Sequence, residues 1–433
     1  MVGGPFFLYF PHTIEYSKLN KIKHYIFLKD VFWIAISAFG GPEMHFALYS
    51  KRMVNEKKYL SQEELLELYA LCQVLPGPTS TQTITSMGYR FGGAKLAFLT
   101  LMIWISPAVI LMTILAFIYG QLSQNHMQAL KYIQPLAVSF VIVAAIKMVH
   151  SVAKDRLSIF LITLSFVVAG LLRHTLGEYL KTPWIFPILI LFGSFFSYLA
   201  KKGYRKHKKM KIKAPWKFLI LFFLIFILAG VLGKILDLRI IKLFENNYRF
   251  GSLIFGGGTV LLPLMYEQFV SFKGYISAQD FLTGIGLIQA TPGPVFSFAT
   301  FTSGLAMSTY GKSAQLLGHM IGTIGIFLPG ILMIFFVYPI WNQIKKHPVV
   351  KRSIDGAIAS SAGLVAAAAY LLFLPVGLYW KTENNFHVSN LLQEHFVNIE
   401  NTVSICIVVP LMFFTKIPAP LWVIIALFLG FIF

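Results

Sequence analysis

The chain has 433 residues, of which 57% are hydrophobic and only 12% are charged, and its mean hydropathy is +0.70. This composition excludes a soluble globular domain and indicates an integral membrane protein. The formal net charge of +20 would suit a nucleic-acid-binding protein, but the basic residues concentrate in loops between apolar segments, which indicates cytoplasmic loops and contact with anionic lipids instead.

From the amino terminus, residues 1–30 are predicted to form a cytoplasmic basic arm. The arm has no apolar core followed by a small-residue cleavage site, so we expect no cleaved signal peptide. The segments beyond it contain continuous apolar runs that reach, or nearly reach, the roughly 20 residues that span a bilayer as a helix. These runs are 96–119, 157–172, 218–231, 317–341 and 402–414. They predict an all-α membrane protein and not a barrel of short alternating strands.

The chain contains an internal duplication. Pro-Gly-Pro occurs at 76–78 and again, 216 residues later, at 292–294. The same shift places the FGGP of residues 39–42 on the FGGG of residues 255–258. Agreement of several motifs at one constant shift indicates that the two halves are homologous.

The duplication defines the predicted domain organisation. We place the first membrane repeat at 31–200 and the second at 247–433. Residues 201–246 between them are predicted to form a basic cytoplasmic loop, at 201–217, followed by one linking transmembrane helix, at 218–235.

Corresponding loops of the two halves carry opposite charge bias. The loop at 51–58 has four basic residues, whereas its counterpart at 267–274 has only Lys273. Farther along the bias reverses, because basic residues cluster in 342–352 and are scarce in 120–131. Short cytoplasmic loops collect Lys and Arg, so this reversal predicts two repeats of inverted topology, joined by an odd number of spans.

Each half also contains interrupted helices. Segments 31–50 and 60–89 both lie between basic loops, so we expect the two ends of each segment on the same side of the membrane. The glycines and prolines in the middle of each segment allow it to enter, turn and leave as a re-entrant hairpin. We predict about four hairpin segments and nine full spans. Backbone breaks are tolerated at membrane depth only where they are buried in protein or line a wet cavity, so the breaks predict a site.

The breaks have the chemistry of an anion site. Gly-Pro favours the start of a helix with proline at the first helical position, and Gly41-Pro42, Gly77-Pro78 and Gly293-Pro294 fit this pattern. The free N–H groups and positive dipole end of a helix start attract anions. Neutral side chains that can bind an oxyanion stand beside the breaks, among them Thr81, Thr259, Thr291 and Ser297. The candidate substrate-binding residues are Gly40, Gly41, Pro42, Gln73, Pro76, Gly77, Pro78, Thr79, Ser80 and Gln82 in the first half and Gly256, Gly257, Gly258, Gln289, Pro292, Gly293 and Pro294 in the second.

Two ionisable residues follow the first break. Glu43 and His45 have Thr259 and Leu261 as their counterparts in the second half, so they distinguish one repeat from the other. Ionisable groups inside a membrane are costly and tend to be functional. Our hypothesis is that Glu43, together with His45, carries a coupling proton. A structural role of Glu43 in the first turn of its half-helix is the alternative.

The pattern of FGGP followed by LPGPTSTQT, and then FGGG followed by TPGP, resembles the chromate ion transporter family in its long two-domain form. The resemblance extends over nearly the whole chain. It implies a plasma-membrane protein that exports chromate, with sulfate as a similar tetrahedral dianion, at the expense of the proton gradient. Family members that confer chromate resistance often have an acidic residue directly after the first Pro-Gly-Pro, where this chain has Thr79.

A secondary active transporter is therefore the function we favour. A passive oxyanion channel could use the same cavity, and a membrane-embedded enzyme could use Glu43 and His45 as an acid–base pair. The sequence has no HExxH, GxSxG or GxxxxGK[ST] motif, and we expect no cofactor and no metal. Expected partners are chromate or a related oxyanion, protons, and anionic lipids at 201–217; a homodimer, the physiological anion and the direction of transport stay open.

Overall fold

A computed structural model describes residues 12–39, 41–121, 130–172, 185–200, 214–254, 258–341, 348–379, 396–415 and 417–432. In these ranges the chain is almost entirely helical, apart from a two-residue antiparallel pairing of Leu378–Tyr379 (β1) with Phe396–Val397 (β2). The prediction of an all-α membrane protein, built from two repeats with broken helices, is confirmed.

The first half has two broken hairpins followed by four apolar helical segments. Its helices are α1 His12–Ser37, α2 Gly41–Tyr49, α3 Gln62–Val74, α4 Thr79–Tyr119, α5 Ile133–Val152, α6 Arg156–Phe166 and α7 Ile185–Ala200. Wide π-helical turns extend α2 over Ser50–Glu56 and α6 over Val167–Leu172. Helix α4 has non-helical backbone angles at Gly92 and Gly93, so a half-helix at 79–91 precedes a separate span.

The linking helix and the second half follow the same plan. The helices are α8 Trp216–Ile235, α9 Arg239–Leu253, α10 Gly258–Tyr266, α11 Ala278–Ala290, α12 Phe298–Met307, α13 Lys312–Val337, α14 Pro348–Gly377, α15 Ile399–Phe414 and α16 Ala419–Ile432. A π-helical turn at Glu267–Phe272 extends α10, and a 3-10 turn at Val295–Ser297 precedes α12. Helix α8 lies between the two halves, at the residues where a linking helix is expected.

The two halves agree residue by residue in their hairpins. Helices α3 and α11 begin and end at positions 216 residues apart. Both begin with a capping box, in which the side chain of Ser61 or Ser277 accepts from the third helical N–H, and an acidic side chain returns a bond to the cap residue. A Ser cap with an acidic third residue satisfies two orphan backbone donors. The same local chemistry therefore starts the same half-helix twice.

Several apolar helices are long enough to cross a membrane. Among the described residues, five helices are long and apolar enough to cross a membrane, and four shorter apolar helices accompany them. The five are 79–119, 133–152, 216–235, 312–340 and 355–374. The chain is therefore a multi-pass membrane protein.

The hairpin boundaries differ from the predicted ones in two respects. Helix α1 is continuous from His12, so the described part of the predicted basic arm is the beginning of the first hairpin. Pro78 and Pro294 are cap residues with extended ψ angles, and the helical turns start one residue later. The Pro ring fixes φ but leaves ψ free to be extended, so proline can precede the first turn as well as start it.

A buried carboxylate holds the base of the first hairpin together. Asp30 of α1 accepts from Arg52 at 3.0 Å and from the Tyr59 hydroxyl at 2.8 Å. The corresponding second-half residues are the neutral Asn246 and Gln268, and Tyr275. A charged cluster therefore ties α1 to the returning arm in the first half, while the three equivalent second-half positions carry no carboxylate.

Candidate functional site

The site is built where the broken segments of the two halves meet. The N–H of Gly77 donates to the carbonyl of Ile254 at 2.7 Å, and the N–H of Gly293 donates to the carbonyl of Ala38 at 2.7 Å. Gly77 corresponds to Gly293, and Ala38 to Ile254, at the shift of 216 residues. Each Pro-Gly-Pro loop is thus bonded to the residue that precedes the FGG break of the other half. This reciprocal exchange is the contact expected of two inverted repeats related by a pseudo-twofold axis.

The middle glycine of each loop is required by the backbone. Gly77 has φ +116° and Gly293 has φ +111°, a region that L side chains rarely adopt. An added Cβ would lie 3.0 Å from Gln82 Nε2 at position 77, and 2.9 Å from the Cβ of Ala108 at position 293. Any side chain at either position would therefore strain the loop and press on its neighbour.

A small cavity lies between the two loops. The first half lines it with Pro78, Thr79, Ser80 and His45, and the second half with residues 294–296. Both Thr79 and Ser80 are buried. The hydroxyl groups come from the first half alone, because the second-half counterparts of Thr79 and Ser80 are Val295 and Phe296.

A helix start borders this region on each side. The first helical bond of α4 runs from the N–H of Gln82 to the carbonyl of Pro78 at 2.8 Å, so the three preceding N–H groups have no acceptor within the helix. On the other side, the N–H of Ser297 bonds to the carbonyl of Pro294 at 2.9 Å, and residues 295 and 296 precede that bond. Two helix starts with positive dipole ends therefore converge on one cavity, which is an arrangement that favours an anion.

His45 connects the cavity to both loops. Its Nδ1 atom lies 3.0 Å from Ser80 Oγ, and its Nε2 atom lies 3.0 Å from the carbonyl oxygen of Ala38. That same oxygen accepts the N–H of Gly293. Trp104 packs edge-on against the imidazole ring, with centroids 5.2 Å apart, and donates its Nε1–H to the Thr81 hydroxyl at 3.1 Å. First-half residues thus fix the position of His45, which shares the carbonyl oxygen of Ala38 with Gly293 of the second half.

A second small cavity adjoins Pro78 from the side of α13. Gln82 lines it and donates from Nε2 to the carbonyl of Pro76 at 2.8 Å and to that of Gly330 at 3.4 Å. Its Oε1 atom and the hydroxyl of Thr85, which also lines this cavity, are buried without a hydrogen-bond partner among the described residues. Gln82 therefore holds the first Pro-Gly-Pro loop in shape and connects it to the second half.

The structure brings together only some of the predicted binding residues. Those that line one of the two cavities are Pro78, Thr79, Ser80, Gln82, Pro294 and His45. Pro76, Gly77, Pro292 and Gly293 form the buried loops behind them. Gly41 and Pro42 open α2, and Gly258 opens α10.

Other predicted residues lie elsewhere or are not described. Gln73 is exposed and Gln289 half-buried on the incoming half-helices, and neither lines these two cavities. Gly40, Gly256 and Gly257 lie outside the described residues, as do the side chains of Glu43 and Thr259. Thr291 donates to the carbonyl of Ile288, and Ser297 has a buried hydroxyl without a partner among the described residues.

Sequence reasoning missed three contributors to the site. Ala38 takes part through its carbonyl oxygen, Trp104 through its ring and indole N–H, and Tyr49 through a hydroxyl that donates to the carbonyl of Ser80 at 3.1 Å. A backbone acceptor leaves no signal in a sequence. An aromatic residue in an apolar span is equally typical of packing, so no pattern separates Trp104 from the other aromatics.

An ion pair at the surface closes the base of the second hairpin. Arg90, near the end of the half-helix of α4, bonds to Glu64 in the first turn of α3. The backbone N–H of Ser61 and then the Arg90 guanidinium hold the pKa of Glu64 below its usual range. The two half-helices on either side of the first Pro-Gly-Pro break are thus joined at the break and also at their opposite ends, through the bond between Arg90 and Glu64.

The fold and the cavity define the class of protein. Two repeats whose broken helices exchange hydrogen bonds around a buried cavity are the construction of membrane transport proteins with inverted repeats. The family model for the chromate transporter matches residues 26–198 and 241–431. The chain belongs to the chromate transporter family, which is a family of transport proteins and not of enzymes, and it is an anion transporter.

Several curated relatives are similar to the chain over most of its length. The chain is 24% identical to a probable chromate transport protein of Synechococcus elongatus, over 83% of this chain and 86% of the relative. It is 22% identical to a chromate transport protein of Pseudomonas aeruginosa, over 76% of each chain. It is also 26% identical to an uncharacterized transporter of Methanocaldococcus jannaschii, over 77% of this chain and 80% of the relative. No solved structure matches the chain.

Proposed function

We propose that the protein is a secondary active transporter of an oxyanion, and that the anion binds at the two half-helix starts in the cavity between the Pro-Gly-Pro loops. The observation that carries the proposal is this cavity, lined by Ser80, His45 and Pro294 from opposite halves. Discontinuous helices that direct their N-termini at an anionic substrate near the bilayer midplane are typical of such transporters. The site would then be built from both repeats.

Chromate is the substrate we propose first, with sulfate as a chemically similar tetrahedral dianion. Support comes from the family and from the relatives in Synechococcus elongatus and Pseudomonas aeruginosa, which are named as a probable chromate transport protein and a chromate transport protein. The first-half wall offers hydroxyl and N–H donors at Thr79 and Ser80, and such neutral donors suit an oxyanion without trapping it in a permanent ion pair. We propose export across the plasma membrane as the direction of transport.

Coupling to the proton gradient is part of this proposal. Glu43 and His45 lie on the first turns of α2, directly after the first FGG break, and the second half has no ionisable residue at either equivalent position. His45 also lines the cavity. A proton on this side of the site would lower the cost of holding a dianion away from water. Because a proton that binds together with the anion moves in the same direction, the direction in which an imposed pH gradient drives flux tests the proposed export.

The proposal is tested by the flux of radiolabelled chromate and sulfate in sealed proteoliposomes, with and without an imposed pH gradient. A coupled carrier accumulates the anion when only the pH gradient is supplied, whereas a passive channel dissipates an anion gradient and does no more. We expect Glu43→Gln to lose gradient-driven accumulation and Glu63→Gln, an exposed residue in the first turn of α3, to retain it. Absence of flux for both anions would contradict the oxyanion proposal, and unchanged pH dependence in Glu43→Gln would contradict its role.

Two further parts of the proposal concern the surroundings of the protein. We propose that the basic residues of 201–217 contact anionic lipids on the cytoplasmic side, since clustered Lys and Arg next to a span bind such headgroups. Flotation with vesicles that contain or lack phosphatidylglycerol would test this for a peptide of that segment. A homodimer is a second proposal, and the mass of the detergent-purified protein would test it.

A further inference from the structure

We infer that the hydroxyl of Ser80 is a proton-controlled donor to the bound anion, and that anion binding is accompanied by the uptake of one proton at His45. The inference rests on the proposed function, because it deals with how the same cavity holds its anion. It assigns to Ser80 the role of changing the affinity for the anion when His45 is protonated.

The tautomer of His45 follows from its two partners. The carbonyl oxygen of Ala38 can only accept, so Nε2, at 3.0 Å, carries a proton. In the neutral ring Nδ1 is then bare, and at 3.0 Å it accepts the hydroxyl proton of Ser80. In this state the Ser80 proton points at the histidine and is not available to a ligand in the cavity.

Protonation of His45 reverses the second bond. The added proton sits on Nδ1, which becomes a donor to Ser80 Oγ, while the Nε2–H bond to Ala38 is kept. The Ser80 hydroxyl rotates, and its own proton is released toward the cavity that both residues line. The site gains one proton, one positive charge and one free O–H donor, and no heavy-atom contact has to break.

The charged state suits the cavity only when an anion is present. His45 is 1% exposed. The groups that face it are the Ser80 hydroxyl and Trp104 from α4, the carbonyl of Ala38 from α1, and residues 294–296 from the second half.

Other titratable groups stand around this histidine. Tyr49 bonds to the carbonyl of Ser80, the buried Cys72 bonds to Ser86, and Glu43 lies two positions before His45 on α2. Among the described side chains no carboxylate contacts the ring. An imidazolium there gains its counter-charge from the ligand, so proton and anion each strengthen the binding of the other.

Only one such pair exists among the described residues of the site. The second-half positions that correspond to His45 and Ser80 are Leu261 and Phe296, which can neither bind a proton nor donate. The two Pro-Gly-Pro loops therefore have similar backbones, but only the first has neighbouring side chains that can bind and donate a proton. This asymmetry predicts that one proton, and not two, is taken up at these paired positions for each anion bound at equilibrium.

The test is equilibrium binding of sulfate to the purified full-length protein, measured by calorimetry at several pH values together with the pH change in weak buffer. Sulfate is the probe because it stays a dianion over the range in which histidine titrates, whereas chromate does not. We expect one proton to be taken up per sulfate, and the affinity to rise about tenfold for each unit that the pH falls.

The variants separate the hydroxyl from the histidine. His45→Gln, which can still donate to Ala38, is expected to bind sulfate without proton uptake and with an affinity that does not depend on pH. Ser80→Ala should bind more weakly with a flatter pH dependence, and Ser80→Thr should restore both. The matched controls are His319→Gln and Ser139→Ala, buried residues on α13 and α5 that line neither cavity, and both should behave as the parent protein.

Each outcome bears on a different part of the account. Proton uptake that persists in His45→Gln would overturn the inference and leave the anion site standing. Proton uptake lost in His45→Gln with Ser80→Ala unchanged from the parent would overturn the role of Ser80. If the parent protein binds neither sulfate nor, at alkaline pH, chromate, the proposed function fails and the inference fails with it.

Discussion

Ala38 illustrates how a residue without a functional side chain organises the site. Its carbonyl oxygen accepts both the N–H of Gly293 and the Nε2–H of His45. Because two partners from opposite halves share one acceptor, displacement of the second Pro-Gly-Pro loop must also disturb the histidine. The sequence predicted His45 and Gly293 as site residues from their chemistry and their position in the repeats. It could not predict Ala38, whose role depends on a long-range backbone contact.

Gln82 and Gln73 make a matched pair for a test at the same scale. Gln82 is buried and supports the loop through the carbonyl of Pro76, whereas Gln73 is exposed. We expect Gln82→Ala to leave that carbonyl unsatisfied and to lower stability by about 1–3 kcal/mol. Gln73→Ala should change stability by less than about 0.5 kcal/mol. Unfolding of both variants in detergent measures the difference, and equal stabilities would contradict the supporting role of Gln82.

At the scale of elements, the broken hairpins are specified locally. Gly and Pro at the breaks, together with the capping boxes at Ser61 and Ser277, determine where each half-helix starts and stops. The same logic predicted both hairpins of each half. It placed the helix start at Pro78 and Pro294 one residue too early, because φ alone does not distinguish a cap from a first turn. Local signals therefore predict the elements well and their end residues less well.

The ion pair of Glu64 with Arg90 joins the two arms of one hairpin and gives it a dependence on pH. The folded protein holds the pKa of Glu64 below its usual range, so the stabilisation is complete above the ordinary pKa of glutamate and is lost as the pH falls through the lower, folded value. Since the pair is exposed, we expect Glu64→Gln to lower stability at neutral pH by less than about 1 kcal/mol. Thermal midpoints of the parent and Glu64→Gln should converge below about pH 4.

The control for this comparison is Glu63→Gln, an exposed residue of the same helical turn. It should leave the pH dependence of the parent protein intact. A difference between the parent and Glu64→Gln that persists at acidic pH would show that the carboxylate acts through packing and not through its charge.

At the scale of the whole molecule, the duplication explains both what could be predicted and what could not. A constant shift of 216 residues predicted equivalent elements, and the reversal of loop charge predicted that the halves are inverted. Neither observation predicts which Pro-Gly-Pro loop contacts which FGG break. Crossed pairing, with Gly77 on Ile254 and Gly293 on Ala38, is a tertiary contact between residues far apart in the chain. This crossed pairing brings the breaks of the two halves together around one cavity.

The central claim is that both Pro-Gly-Pro loops build a single anion site, and chromate flux in Gly77→Ala and Gly293→Ala tests it most directly. Each substitution forces a side chain into a backbone conformation that costs about 1–3 kcal/mol, so we expect a roughly tenfold or greater loss of flux per correctly folded protein in both variants. The control is Gly230→Ala in α8, where an added Cβ meets open space, and it should retain full flux. Loss of flux in one loop variant with full flux in the other would contradict a site shared by the two halves.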